Sequence, residues 1–255
     1  MTGFVADFVG AEVRVSPNFG PRRDVSRADL IILHYTGMEN GEVAEAWLCN
    51  PASQVSSHYL VHDDGRLVQL VRESDRAWHA GRGSWQGSTD VNSRSIGIEI
   101  ANQGPLAGHP PFPDAQIASV IGLCRDICAR LGVAPDHVLA HSDVAPGRKI
   151  DPGPAFPWED LAAAGVCRIQ PRTRRTRAAP LAEGANGRAV ERIQSMLSLY
   201  GYGIEITGHF DGQTATVVRA FQLRFRRSQV DGIVDAETRA ILTSLVAGLP
   251  GPALG

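Results

Sequence analysis

Among the 255 residues no two cysteines form a CxxC pair, no apolar run approaches the ~18 residues that cross a bilayer, and neither sign of charge predominates. Cys49, Cys124, Cys128 and Cys167 therefore offer neither a disulfide framework nor a zinc knuckle. Cys124 and Cys128 fall on the apolar stripe of PDAQIASVIGLCRDICARLG, with Ile117, Val120, Ile121, Ile127 and Leu131, and read as small core residues. Lys and Arg number 25 against 27 Asp and Glu, a formal charge of −2, so no overall basic field argues for nucleic acid. The opening residues, MTGFVADFVGAEVRVSPNFG, are broken by Asp7 and Glu12 and lack a basic n-region before an unbroken apolar stretch. No signal peptide is read there, and the cytoplasm is the expected location.

The length suits one large domain or a medium and a small one, and a change of composition favours the second. From 168 to 185 the chain carries five arginines in ten residues and two prolines with little apolar periodicity, the signature of a linker. Before it, LIILH (30–34), SIGIEIA (95–101) and HVLAH (137–141) read as strands, and SHYLVHDDGRLVQLV (57–71) reads as two strands around an Asp-Asp-Gly turn. Helices are expected at 41–49 and 114–131, the second closed by Gly132. The expected fold is α/β, a central mixed sheet flanked by helices. After the linker, GHFDGQTATVVRAFQ (208–222) and VDGIVDAETRAILTSL (230–245) each run Gly, hydrophobe, Asp and a helix-opening Thr. With the helical stretch NGRAVERIQSMLSLYG before them they read as a half-repeat in a three-helix module.

HSDVAPGRKIDPG (141–153) gathers His141, Lys149 and Asp151 in a Pro/Gly-rich loop. An imidazole and a carboxylate are two metal ligands, and a zinc site has four protein ligands when structural and three when catalytic. A further ligand must come from elsewhere. His34 closes the LIIL run, and with His141 and Asp151 it makes a three-ligand set that leaves a fourth position for water. His58, His62 and His79 are rival ligands on spacing alone, whereas His109 and His137 read as surface loop residues and His209 lies beyond the linker. Glu99 stands out in SIGIEIA: alternation puts Ile96, Ile98 and Ile100 on one face and Gly97, Glu99 and Ala101 on the other, with room for a ligand above the carboxylate. Residues at strand ends can converge on one sheet edge, where α/β folds keep their sites.

In order along the chain, LHYTG (33–37), QVSSHYLV (54–61), AWHAGRGSW (77–85), SIGIEIAN (95–102) and AHSDVAPGRKIDPGPAFPW (140–158) resemble the zinc-dependent N-acetylmuramoyl-L-alanine amidases of the AmpD/AmiD type. The resemblance spans about 25–165. It implies the mixed-sheet fold shared with peptidoglycan recognition proteins, one Zn2+ held by His34, His141 and Asp151, and Glu99 and Lys149 acting on substrate. It also implies hydrolysis of the bond between the lactyl group of N-acetylmuramic or 1,6-anhydro-N-acetylmuramic acid and L-alanine of the stem peptide. Tyr35, Trp78, His79 and Asn102 are weaker candidates for the substrate groove. The later module resembles a small peptidoglycan-binding domain. The expected layout is a catalytic domain at 1–167, the linker at 168–185, a wall-binding domain at 186–247 and a tail at 248–255. Peptidoglycan or muropeptides are the expected partners of a monomer, and the wall-binding module gives the periplasm or cell envelope as the alternative to the cytoplasm. A binding protein without turnover on the same scaffold is the alternative, and a zinc peptidase cutting within the stem peptide is a third reading.

Overall fold

The structure, a computed structural model, describes residues 3–169 and 179–249. The arginine-rich part of the expected linker (170–178) and the end of the expected tail (250–255) lie outside the described residues. Two compact units divide the chain: 3–83, 90–142 and 151–168 form the first, and 84–89, 143–150, 169 and 179–249 form the second.

In chain order the elements are β1 (Glu12–Val13), β2 (Phe19–Pro21), β3 (Leu30–Tyr35), α1 (Gly41–Leu48), β4 (Tyr59–Val61), β5 (Leu67–Gln69), β6 (Asp75–Ala77), α2 (Val91–Arg94), β7 (Ser95–Ile100) and α3 (Asp114–Leu131). After these come β8 (Val138–Ala140), α4 (His141–Val144), α5 (Trp158–Ala163), α6 (Arg188–Tyr200), α7 (Gly212–Phe225) and α8 (Ala236–Ala247). Among the described residues no helix is long and apolar enough to cross a membrane.

The first unit is built on a six-stranded mixed sheet in the order β1-β5-β4-β7-β3-β8, with a separate antiparallel pair of β2 and β6. β4, β7, β3 and β8 run parallel, and β4 and β5 form the antiparallel hairpin expected around Asp63-Asp64-Gly65. Alternation then decides the faces. Ile31 and Leu33 of β3, Ile96, Ile98 and Ile100 of β7, and Tyr59 and Val61 of β4 pack with Ile117, Val120, Leu123, Cys124 and Ile127 of α3. Each such side chain contributes about 1.5–3 kcal/mol by leaving water. On the hairpin side, Leu60, Val68 and Leu70 pack against Ala44 and Leu48 of α1. The Asn40 side chain caps α1 by accepting from Val43 N, and Gly132 ends α3 in the left-handed region at φ 69°, its N–H bonded to Cys128 O. Among the described residues no disulfide links the four cysteines, and burial pushes the Cys128 thiol up to about 11, which keeps it unreactive.

The strand expected at 137–141 is shorter. His137 ends a 3-10 turn (Pro135–His137), β8 covers Val138–Ala140, and His141 opens α4. The chain leaves the sheet at this point because Ser142 N donates to Asp151 O instead of to a neighbouring strand.

In the second unit the half-repeat is physical. Asp211 and Asp235 cap α7 and α8 by accepting from Thr214 N and Thr238 N, both at 2.8 Å. A buried glutamine one helix earlier serves each loop. Gln194 Oε1 accepts from Thr207 N and Gly208 N while its Nε2 donates to His209 O and Thr214 Oγ1. Gln222 repeats the pattern with Asp231 N, Gly232 N, Ile233 O and Thr238 Oγ1. Substituting Gln194→Leu leaves the buried Gly208 N–H without its acceptor, so chemical denaturation should report a loss of about 1–3 kcal/mol. The same unit contains Trp85, fully buried and edge-on to Tyr202 at 5.2 Å. It also contains Asp143, which accepts from Tyr202 Oη at 2.6 Å and from Arg224 Nη1 at 2.7 Å.

Candidate active site

Parallel strands end at the same edge of a sheet, and three of them bring the reactive side chains there. His34 is the penultimate residue of β3, Glu99 the penultimate residue of β7, and His141 follows directly on β8. His34 and Glu99 are register partners, so their backbones lie about 4.8 Å apart on adjacent strands. Leu60 is the partner of Glu99 on its other side. Glu99 is half-buried, whereas His34, His141 and Asp151 are all buried.

The last three meet at single atoms. His34 Nδ1 lies 2.9 Å from His141 Nδ1 and 3.0 Å from Asp151 Oδ2, and His141 Nδ1 lies 2.8 Å from Asp151 Oδ2. Among the described residues this is the one group of three that could hold a metal ion. Its donor chemistry fits one. The far nitrogen of His141, Nε2, is 2.9 Å from Ala80 O, and a carbonyl can only accept. Nε2 therefore carries the proton, and His141 Nδ1 turns a lone pair toward a carboxylate oxygen. Converging lone pairs repel unless a cation sits among them, and two imidazoles with one carboxylate are the three-ligand set of a catalytic metal site.

The rival histidines are engaged elsewhere. His58 Nδ1 accepts from Gly97 N, its Nε2 faces Asp75 O, and burial together with the Arg22 guanidinium lowers it to about 3. His62 Nε2 pairs with Glu45 at 2.9 Å. His79 is neutral, held well below its ordinary value by burial and then by neighbouring His34, and its Nδ1 lies 3.0 Å from His34 Nε2. Beside Glu99 on the same strand, Gly97 faces the ring of His79: a Cβ at Gly97 would lie 2.4 Å from His79 Cγ. Glycine there makes room for a side chain of the protein.

The remaining candidates separate. Tyr35 is half-buried beside Gly104 and Gly153; burial, then the Asp151 and Glu99 carboxylates, push its hydroxyl up to about 12, so it remains a donor at neutral pH. Trp78 is half-buried, its backbone paired with Ser56. His79 lies behind His34. Asn102 uses both ends of its amide on the following loop, donating to Pro110 O and accepting from Gly104 N. Lys149 is exposed in the second unit, its N–H bonded to Ala145 O. Three contributors escaped sequence reading, Ala80, Asn92 and Ser95: the first acts through its backbone carbonyl, and the other two are ordinary polar residues that act through the backbone of 79 and 80 and the ring of His79, so none has a sequence signature.

Comparison with known proteins agrees with this geometry. The N-acetylmuramoyl-L-alanine amidase family model matches residues 24–154, and a peptidoglycan binding domain model matches residues 186–242. The N-acetylmuramoyl-L-alanine amidase AmiD of Escherichia coli (strain K12) is 39% identical over 242 residues, covering 86% of this chain and 83% of that protein. The structure of E. coli AmiD in complex with the substrate anhydro-N-acetylmuramic acid-L-Ala-D-gamma-Glu-L-Lys superimposes with a TM-score of 0.75 at 36% identity, covering 92% of each chain. AmpDh3 from Pseudomonas aeruginosa, in complex with anhydromuramic pentapeptide, gives a TM-score of 0.71 at 29% identity over 97% of this chain and 99% of that one. With the family model spanning half its length and a relative this similar across most of both proteins, the chain belongs to the N-acetylmuramoyl-L-alanine amidase family.

Proposed function

We propose that the protein is a zinc-dependent amidase that cuts the amide bond between the lactyl group of N-acetylmuramic or 1,6-anhydro-N-acetylmuramic acid and the L-alanine of a stem peptide. The observation that carries this reading is the meeting of His34 Nδ1, His141 Nδ1 and Asp151 Oδ2 within 3.0 Å of one another, with Glu99 on the strand next to that of His34. The muramyl peptides in the complexes of AmiD and AmpDh3 support the substrate class.

Zinc at such a site supplies a water of pKa ~7 and polarises the scissile carbonyl. Glu99 takes the proton of the attacking water and delivers it to the leaving amine of L-alanine, so both transfers use one carboxylate. The ammonium of Lys149 stabilises the negative charge that develops on the carbonyl oxygen. His34, His141 and Asp151, all buried, would hold the metal. The three-helix domain holds the enzyme on peptidoglycan and raises its local concentration there, and the working unit is a monomer.

Metal analysis and mass spectrometry of digests test the proposal. The parent should carry one zinc per chain and release intact stem peptide from anhydromuropeptides. Shortened peptides would instead indicate a peptidase, and a zinc-loaded protein releasing no peptide would leave only binding. Asp151→Ala should lower zinc affinity by more than the ~100-fold that outer-shell substitutions reach, read by chelator competition.

A further inference from the structure

We infer that Ser95 and His79 are positioning residues that determine which nitrogen of His34 faces the metal site. The inference rests on the reading of His34 as a ligand, and it follows from where each proton can sit.

Ser95 Oγ donates to Val91 O at 2.7 Å. A hydroxyl has one proton, so toward His79 Nε2, 3.2 Å away, the same oxygen accepts. His79 Nε2 therefore carries the ring proton, and its Nδ1 has a lone pair. That lone pair faces His34 Nε2 at 3.0 Å, which places the proton of His34 on Nε2 and turns its Nδ1 lone pair toward His141 and Asp151. The order runs in one direction because it begins at a carbonyl, which cannot donate. His141 reaches the same tautomer in a single step from Ala80 O at 2.9 Å.

Both chains depend on one further side chain. The Asn92 amide oxygen accepts from His79 N at 3.1 Å and Ala80 N at 2.8 Å, fixing the two residues that orient the two ligand rings. Asn92, Ser95 and His79 are all buried, with Ser95 at 0% exposure. Outer-shell partners of this kind fix ligand tautomer and orientation, and their loss typically costs about 10–100-fold in metal affinity.

Two measurements on the full chain test this. In 15N-edited long-range spectra of the zinc-loaded parent, His79 should appear as the Nε2–H tautomer; an Nδ1–H tautomer overturns the inference. In chelator competition with Zn2+, His79→Leu should bind about 10–100-fold more weakly than the parent. His79→Asn should recover most of that loss, because Asn Oδ1 replaces Nδ1 as the acceptor for His34. His79→Leu within twofold of the parent, or His79→Asn as weak as His79→Leu, would also overturn it. If His79→Leu does not fold, the spectrum of the parent decides alone. A parent that takes up no zinc sinks the metal reading itself, while the tautomer of His79 remains readable, so the two failures are distinct.

Discussion

Glu99→Gln should lower kcat on an anhydromuramyl peptide by about 10²–10⁴-fold while leaving bound zinc and melting temperature at parental values. The amide has the shape of the carboxylate but cannot take a proton from water at neutral pH. Structure supplies the reason for expecting so large a loss from one atom change. Glu99 is the register partner of His34 on the adjacent parallel strand, and it is half-buried at the sheet edge where the ligand atoms meet. It is not one of the three converging ligands, so metal content should survive its replacement. A Glu99→Gln enzyme within threefold of the parent would assign the proton transfers elsewhere, and one that loses zinc would make Glu99 a ligand. Lys149→Ala is a weaker probe of the same step, because the lysine is exposed and a neighbouring water can replace part of its effect.

Arg224→Met should destabilise the second unit by about 3–5 kcal/mol, the cost of breaking a buried ion pair from one side. The Arg224 and Asp143 side chains are 2% and 1% exposed, and their atoms are 2.7 Å apart. Replacing the guanidinium leaves the carboxylate desolvated without its cation. Tyr202→Phe removes only the hydrogen bond to Asp143 and should cost about 1.5–3 kcal/mol. The double variant Asp143→Leu with Arg224→Met should cost less than the sum of the single changes, because no buried charge is then left behind. Denaturant unfolding checks all three, and an Arg224→Met protein within 1 kcal/mol of the parent would contradict the argument.

Much of this was legible in the residues themselves. LIIL states a strand and SIGIEI both strand and face, because alternation is a local property of extended chain. The repeated Gly, hydrophobe, Asp and Thr announce α7 and α8, although the Thr expected to open each helix stands in its first turn and the preceding Asp211 or Asp235 is the cap. His34, Glu99, His141, Lys149 and Asp151 were nameable because five ordered motifs carry a family resemblance. Chemistry alone left His58, His62 and His79 as competitors.

Those competitors were separated only by tertiary structure. Which histidine meets His141 depends on β3 lying between β7 and β8 in a definite register, and register is set by side chains brought together from distant parts of the chain. His62 turned to Glu45, His58 to the Gly97 N–H, and His79 to the back of His34 for the same reason. The protons of the two ligand rings are decided still further from the sequence. They depend on the carbonyls of Ala80 and Val91, groups that every residue has, so only their placement gives them a role. Residue types and motifs determined the elements and the chemical inventory of this protein. Folding decided which members of that inventory face one another, because contacts between strands distant in sequence form only in the folded chain.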